Sequence, residues 1–469
     1  MSMNVYLSRI VVVLLVTVTF CLAARVVLKD WRTLGIYVPV GDEPRNLIVA
    51  RSIFVDHSVE VTRAVRHEQQ SKQFFSNYLN GDTGIRSYPK GMFTPHGLAL
   101  PAYIALPLGY LGREGARYAM VAITAIVAGA AAWLAMFYTG APLMAFAAAT
   151  ATTVAMPFVP AAGQFYPDIP GGAICLLALI RLIHCRDQPI SKSDIPIQLL
   201  IATLPWWHIR FSAAALILVA GTLILRPRST RSIAMTCIPL VVSLLSLCAY
   251  NIYAFDNVAG IYKRGEMEIS TTSAMVLFGL LIDQNHGLLV QNPVFLVGAF
   301  FFPAFIRFDW RVGLIVLAVF AALLVPNAFH INWYGGASIS GRFQWAATTV
   351  FVLPTIFGLT RLAKINELWF VTIVAAAAWL QDWYFSLYAN AKVSLFNRSS
   401  LTVFQDYSIF FPKIRHYLPA LYDARWAYGF LPNYVFATAL ILLLGLGVRY
   451  ALRQTHQPAR MATDGLLRP

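Results

Sequence analysis

Residues 97–112 read GLALPAYIALPLGYLG, and the side on which every later loop falls depends on how these sixteen residues are taken. The stretch is apolar but carries Pro101 and Pro107. A helix needs about 20 apolar residues to cross a hydrocarbon core of about 30 Å, so this segment suits an interfacial or re-entrant helix better than a span. On either side of it, apolar runs long enough to cross recur along the chain. The chain is 58% hydrophobic and only 12% charged, whereas a soluble domain carries about 25% charged residues. In lipid the backbone must satisfy its own hydrogen bonds, so these runs are helices. The alternating ten-residue segments of a membrane barrel are absent. The expected fold is an all-α polytopic membrane protein with about 12 spans and juxtamembrane helices on one face.

The first run, Ile10 to Leu28, is long for a signal-peptide core and reads as a retained helix. Further spans are expected at 118–138, 141–160, 170–184, 196–208, 211–226, 232–254, 288–306, 312–330, 343–361, 366–384 and 432–451. Short basic segments lie between them: Arg181 to Lys192, Arg226 to Arg231, Arg307 to Arg311, Arg361 to Lys364, and the tail Arg449 to Arg468. If 97–112 does not cross, all five share a face with both termini, and the positive-inside rule makes that face cytoplasmic. The opposite face then collects a long loop at 29–117, a second at about 385–431, and several short turns. Ser273–Ile282 is a second short apolar segment treated as juxtamembrane. The expected organisation is a membrane domain over 1–384, an outer loop or small subdomain over 385–431, and a last helix with a basic tail over 432–469. The expected setting is an integral membrane one, with both termini cytoplasmic, the working face extracytoplasmic and membrane lipids as partners.

A net charge of +15 raises the question of nucleic acid. The Lys and Arg residues sit at helix ends rather than in one basic domain, so no nucleic-acid partner is expected. Cys21, Cys175, Cys185, Cys237 and Cys248 lie in or beside apolar runs, with neither a disulfide framework nor zinc spacing. No nucleoside-triphosphate loop, dinucleotide fingerprint or HExxH pair occurs, and the cytoplasmic loops are too short for a nucleotide-fuelled domain. Any group donor must reach the outer leaflet already activated, and a lipid phosphate is the natural carrier.

Two acidic sites stand on the outer face. Asp42 and Glu43 lie in Gly41-Asp-Glu-Pro44, ahead of the helix-like stretch Arg45–Phe54, and Asp168 lies in Tyr166-Pro-Asp168. Each reads equally as an ordinary helix start or cap and as a carboxylate placed to take a proton from an acceptor hydroxyl. The same face carries His96, His208, Arg210, Lys263, Arg264, His286 and Arg342. Singly these are belt or headgroup contacts; together they oppose the positive-inside trend and form a candidate phosphate pocket.

This pattern resembles the GT-C superfamily of membrane glycosyltransferases, which includes protein O-mannosyltransferases, the lipid A aminoarabinose transferase and other bacterial enzymes using polyprenyl-phosphate sugars. The resemblance covers about 1–360. It rests on the first helix followed by Gly41-Asp-Glu-Pro44, on Thr94-Pro-His-Gly97, on Tyr166-Pro-Asp168, on Leu281 to Gly287, and on Trp333-Tyr-Gly-Gly through Gly341-Arg342. It implies a polyprenyl-phosphate sugar donor and a glycan, lipid or protein acceptor. Asp42 becomes the catalytic base, with Glu43 beside it, Asp168 a second acid of the site, and the cations contacts to donor phosphate. The cofactor is left unknown: Asp42, Glu43 and Asp168 could hold a hard divalent cation, but three acids without geometry do not establish a metal site. The polar insertion His57 to Lys90 departs from the pattern.

Two other readings stay open, a transporter or flippase of lipid-linked intermediates and a structural membrane protein. A transporter should show paired halves or ionisable residues midway along its spans, and neither is visible. Gly- and Pro-framed polar turns gathered on one face count against a purely structural protein.

Overall fold

The computed structural model describes residues 3–33, 39, 41–74, 85–227, 229–260, 267, 269, 272–330, 335, 338, 341–389, 417–421 and 429–453. The chain begins with α1 (Met3–Thr33), α2 (Glu43–Val55), α3 (Thr62–Ser71) and a hairpin of β1 (Arg86–Tyr88) and β2 (Gly91–Phe93). Next comes α4 (Ala99–Thr139), 41 residues long. A straight helix of that length would run about 60 Å, twice a hydrocarbon core.

It does not run straight. Gly112 takes φ 65° and ψ −161°, a conformation essentially reserved for glycine, and the helix folds back there. Tyr103 Oη donates to the Ala119 carbonyl at 2.8 Å, and a Cβ on Gly115 would lie 2.5 Å from the Pro107 carbonyl oxygen. The first arm packs on α2, where the Phe54 and Tyr110 rings meet edge to face at 5.1 Å. The second arm runs against α1, with Gly129 beside Thr17. Residues 97–112 therefore form a separate arm rather than the start of a crossing.

The remaining elements are α5 (Pro142–Thr153), α6 (Phe158–Ala161), α7 (Asp168–His184), α8 (Ile195–Trp207), α9 (Ser212–Leu225), α10 (Thr230–Phe255), α11 (Thr272–Ile282), α12 (Leu288–Gln291), α13 (Phe295–Phe308), α14 (Trp310–Ala328), α15 (Trp345–Ile365), α16 (Glu367–Ala389) and α17 (Leu431–Arg453). Among the described residues, seven helices are long and apolar enough to cross a membrane: α1, α4, α10, α14, α15, α16 and α17. All seven coincide with expected spans. The other expected spans are shorter helices, of 12 residues in α5, 17 in α7, 13 in α8, and 14 each in α9 and α13. α7, α8 and α9 keep close to the expected limits, whereas α5 ends early and α13 starts late, where polar or proline-containing backbone is buried against protein, which satisfies it in place of helix. Beyond α5, for example, the Met156 N–H is held by Gln381 Oε1 at 2.8 Å.

The basic segments meet at one end of the bundle. Arg226 and Arg181 both bind Asp194, Arg186 pairs with Asp309, Arg361 lies over the Phe308 ring, and Arg307 donates to the Ala451 carbonyl. Arg9 of α1 reaches the same end, over Trp133, whose indole donates to His184. From this end α8 and α14 run toward the opposite one, while α7, α9 and α15 return from it. The described part of the His57–Lys90 insertion is pinned at that opposite end. Glu60 Oε1 accepts the N–H groups of Thr62 and Met92, and Tyr88 and Phe93 pack on Phe255 of α10. Most of 385–431 lies outside the described residues, but Leu421 donates its N–H to Asp283 Oδ2 at 2.8 Å.

Gly112 and Gly140 share a φ of 65°, but Gly140 has ψ −1°, the left-handed helical conformation that asparagine also adopts. Gly112→Asn should therefore lower stability by about 1–3 kcal/mol, whereas Gly140→Asn should change it little. Thermal unfolding of the two variants in detergent compares them directly, and equal shifts would show that the Gly112 bend is not constrained.

Candidate functional site

α2 starts at Glu43 with Pro44 in its first turn, so an acid just before it has the ordinary position of a cap. Asp42 occupies that position, yet its carboxylate makes no capping hydrogen bond to the helix backbone. Oδ1 instead accepts from Arg45 Nη1 at 2.9 Å and lies 3.4 Å from His96 Nε2. Oδ2 accepts from Arg342 Nη1 at 3.2 Å, across 300 residues of sequence. Burial pushes the Asp42 carboxyl up, but His96, Arg342 and Arg45 outweigh it and hold the group well below the usual carboxylate range. These contacts stabilise the fold above about pH 4, the unfolded value. That contribution is lost as pH falls through the lower folded value.

Arg342 is placed by the turn before α15. Gly341 takes φ 81°, and its N–H reaches His286 Nδ1 at 3.2 Å. The guanidinium then lies 4.2 Å over the Tyr166 ring and 5.1 Å from that of Phe343, a stack that arginine makes better than lysine.

Asp168 opens α7, but its carboxylate binds Arg210 rather than capping the helix. Arg210 Nη1 also donates to Asn327 Oδ1 at 3.3 Å, and Asn327 Nδ2 donates to the Phe343 carbonyl at 2.6 Å. One buried amide thus ties Arg210 to the residue after Arg342. Burial and the neighbouring Arg210, His96 and Arg342 charges hold His208 well below the ordinary histidine range. It is therefore neutral at physiological pH, and its Nδ1 accepts the Arg210 N–H at 3.3 Å.

The structure brings Asp42, His96, Asp168, His208, Arg210 and Arg342 together at the end opposite the basic segments. Glu43 and His286 have supporting positions. Glu43 is 1% exposed, and its Oε1 accepts the Phe165 N–H at 2.9 Å. His286 is buried and held low by that burial, in a turn where Asp283 Oδ1 accepts the N–H groups of Asn285 and His286. Lys263 and Arg264 lie outside the described residues.

Arg45, Tyr166 and Asn327 complete the site without having been singled out for it in the sequence. The Asp42-to-Arg45 spacing is a readable i,i+3 signal; Tyr166 and Asn327 give none. Each guanidinium also keeps a donor in reserve: the Nε atoms of Arg45, Arg210 and Arg342 are buried without a hydrogen-bond partner among the described residues. A cluster of arginines with unused N–H donors is suited to an anion. It does not suit a metal ion, because Asp42 and Asp168 already face arginines and Glu43 faces a backbone N–H. Among the described residues no three His, Cys, Asp or Glu side chains form a cation site.

Only one of the three acids is open to a reactant. The Asp42 side chain is 26% exposed, against 2% for Asp168. Asp168 is thus a fixed counter-charge for Arg210. Arg210→Gln should cost about 3–5 kcal/mol, because it leaves a buried carboxylate unpaired, and adding Asp168→Asn should recover much of the loss. Thermal unfolding of the single and double variants decides this, and equal destabilisation in both would argue against the pairing.

No family model and no curated protein sequence matches this chain. Its structure is similar to the crystal structure of ArnT from Cupriavidus metallidurans bound to undecaprenyl phosphate, with a TM-score of 0.51 and 15% identity over 92% of this chain and 74% of that one. At that identity the likeness concerns the fold alone, which the chain shares over nearly its whole length.

Proposed function

We propose that the protein is a membrane glycosyltransferase that moves a sugar from a polyprenyl-phosphate donor to an acceptor hydroxyl. The observation that carries this reading is the open Asp42 carboxylate, gripped by Arg45, His96 and Arg342 at the end of the bundle away from the basic segments. The GT-C fold, shared with a protein crystallised with undecaprenyl phosphate, supports it. Positive-inside orientation puts the site on the extracytoplasmic side of a bacterial inner membrane, with both termini cytoplasmic. That location fits a role in assembling cell-envelope glycans or glycolipids.

The chemistry follows from the residues. The acceptor oxygen attacks the anomeric carbon while the bond from that carbon to the phosphate oxygen breaks. The electron pair of that bond stays on the phosphate, and the acceptor proton passes to Asp42. A single displacement inverts the anomeric centre. Phosphate leaves well as an anion, so no general acid is required, and cations that meet the developing charge do the most to lower the barrier. Arg45, Arg210 and Arg342 hold that position among the described residues, and Lys263 and Arg264 are proposed as further donor contacts.

With labelled polyprenyl-phosphate sugars in membranes, Asp42→Asn should reduce transfer per amount of folded protein by about 10²–10⁴-fold. Arg342→Gln should cost about 10²–10³-fold. Transfer that survives Asp42→Asn removes Asp42 as the base. Orientation has its own check. A cysteine at exposed Arg86 should react with an impermeant thiol reagent from outside, and one at exposed Lys192 should not; the reverse pattern would put the site in the cytoplasm.

A further inference from the structure

We infer that Asp42 is an internal counter-ion, holding the guanidinium groups that the donor phosphate needs and releasing them as the sugar is transferred. This rests on the polyprenyl-phosphate reading above and adds to it how the site keeps its charge in balance.

Geometry supplies the first support. Arg342 reaches a single carboxylate, Asp42, at 3.2 Å, and Arg45 pairs with the same group at 2.9 Å. Both arginines, like Arg210, keep a buried Nε donor without a partner among the described residues. The cations are thus only partly satisfied, and the group occupying them is the one acid of the site with substantial exposure. A phosphate that enters must share or take these donors, and the carboxylate it displaces is the proposed base.

Charge supplies the second. Three guanidinium groups (Arg45, Arg210, Arg342) face two carboxylates (Asp42, Asp168), with His96 3.4 Å from Asp42 and the Glu43 carboxylate held by the Phe165 N–H. A phosphodiester donor adds one negative charge to this set. During transfer the phosphate becomes a monoester and gains one negative charge, while Asp42 takes the acceptor proton and loses one. The total charge of the site is therefore the same after the reaction as before it. Arg342 and Arg45 can follow the charge from carboxylate to phosphate without an unpaired ion appearing in a low-dielectric site, where it would be costly.

The test is binding of undecaprenyl phosphate to the full chain in nanodiscs. Wild-type protein with Asp42 ionised carries one more negative charge beside the dianionic monoester than the product state, in which Asp42 is protonated. Asp42→Asn reproduces the charge of protonated Asp42, and should bind the lipid about tenfold more tightly while failing in transfer. In an Arg342→Gln background that gain should shrink, since the two residues act through one contact. Binding by Asp42→Asn that is equal to or weaker than wild type would overturn the counter-ion role and leave the donor reading intact. Absence of binding to the wild-type chain would overturn both. Should Asp42→Asn not fold, a cryo-EM structure of the wild-type chain with the lipid gives the answer. Arg342 should then contact phosphate and have moved more than 4 Å from Asp42, and an unchanged Asp42–Arg342 pair would refute the exchange.

Discussion

The ion pair between Asp42 and Arg342 closes the structure on itself. Asp42 sits just after α1, at the start of α2, and Arg342 sits at the head of α15, 300 residues later. A guanidinium placed against Tyr166 and Phe343 has lost most of its water, and an ion in that state must find a partner or destabilise the fold. Its partner comes from the other end of the chain. It joins α2, which packs on the folded-back arm of α4, to the turn held by His286. Asn327 extends the constraint by linking Arg210 to the backbone beside Arg342, so the two acid–arginine pairs form a single unit.

That unit lies at one end of the bundle and a second set of ion pairs lies at the other. Asp194 is almost fully buried between Arg181 and Arg226, which hold it below the usual carboxylate range. With Arg186–Asp309 it locks the basic turns to each other. The two ends differ in one respect that matters for function. At the basic end the principal acid is sealed and its charges are matched by short, structural contacts. At the other end a partly exposed carboxylate, Asp42, faces Arg45 and Arg342 and is open to a reactant.

Much of this was legible in the sequence. Hydropathy gave the helical membrane class, and the brevity and prolines of 97–112 indicated an arm that does not cross. The contacts among Arg181, Arg226, Arg307 and Arg361 and their neighbours now bring the basic segments together without appeal to a crossing count. Asp42, Asp168, Arg210 and Arg342 were recognisable as charged residues at turns of one face. What could not be read was the direction of side chains. Asp42 and Glu43 are adjacent, and both precede Pro44, but a helix start turns one toward Arg45, His96 and Arg342 and the other toward Phe165. His208 and His286 looked cationic, yet burial keeps both neutral, and burial is a property of the packed bundle. The length of α5 or α13 was hidden for a related reason. Whether an apolar run stays helical to its end depends on partners such as Gln381, which come from distant sequence.

The low basicity of Asp42 bears on the order of events. A carboxylate held far below its usual range by three neighbours is a poor base toward a hydroxyl, and an equally poor one toward water. If it kept those neighbours throughout, it could not serve the proposed reaction well. Its basicity can rise only when something else engages Arg342 and Arg45, and an entering phosphate is an anion of suitable charge. On the proposed reaction, engagement of the arginines by the donor phosphate begins to arm Asp42, and transfer completes the exchange. Such an arrangement would protect an activated sugar from hydrolysis, because the group proposed to deprotonate an attacking nucleophile is weak until the donor is seated. It also gives a reason for the proposed base to stand among arginines rather than in an apolar pocket. Desolvation alone would raise its pKa permanently, whereas a shared arginine makes that pKa depend on the substrate.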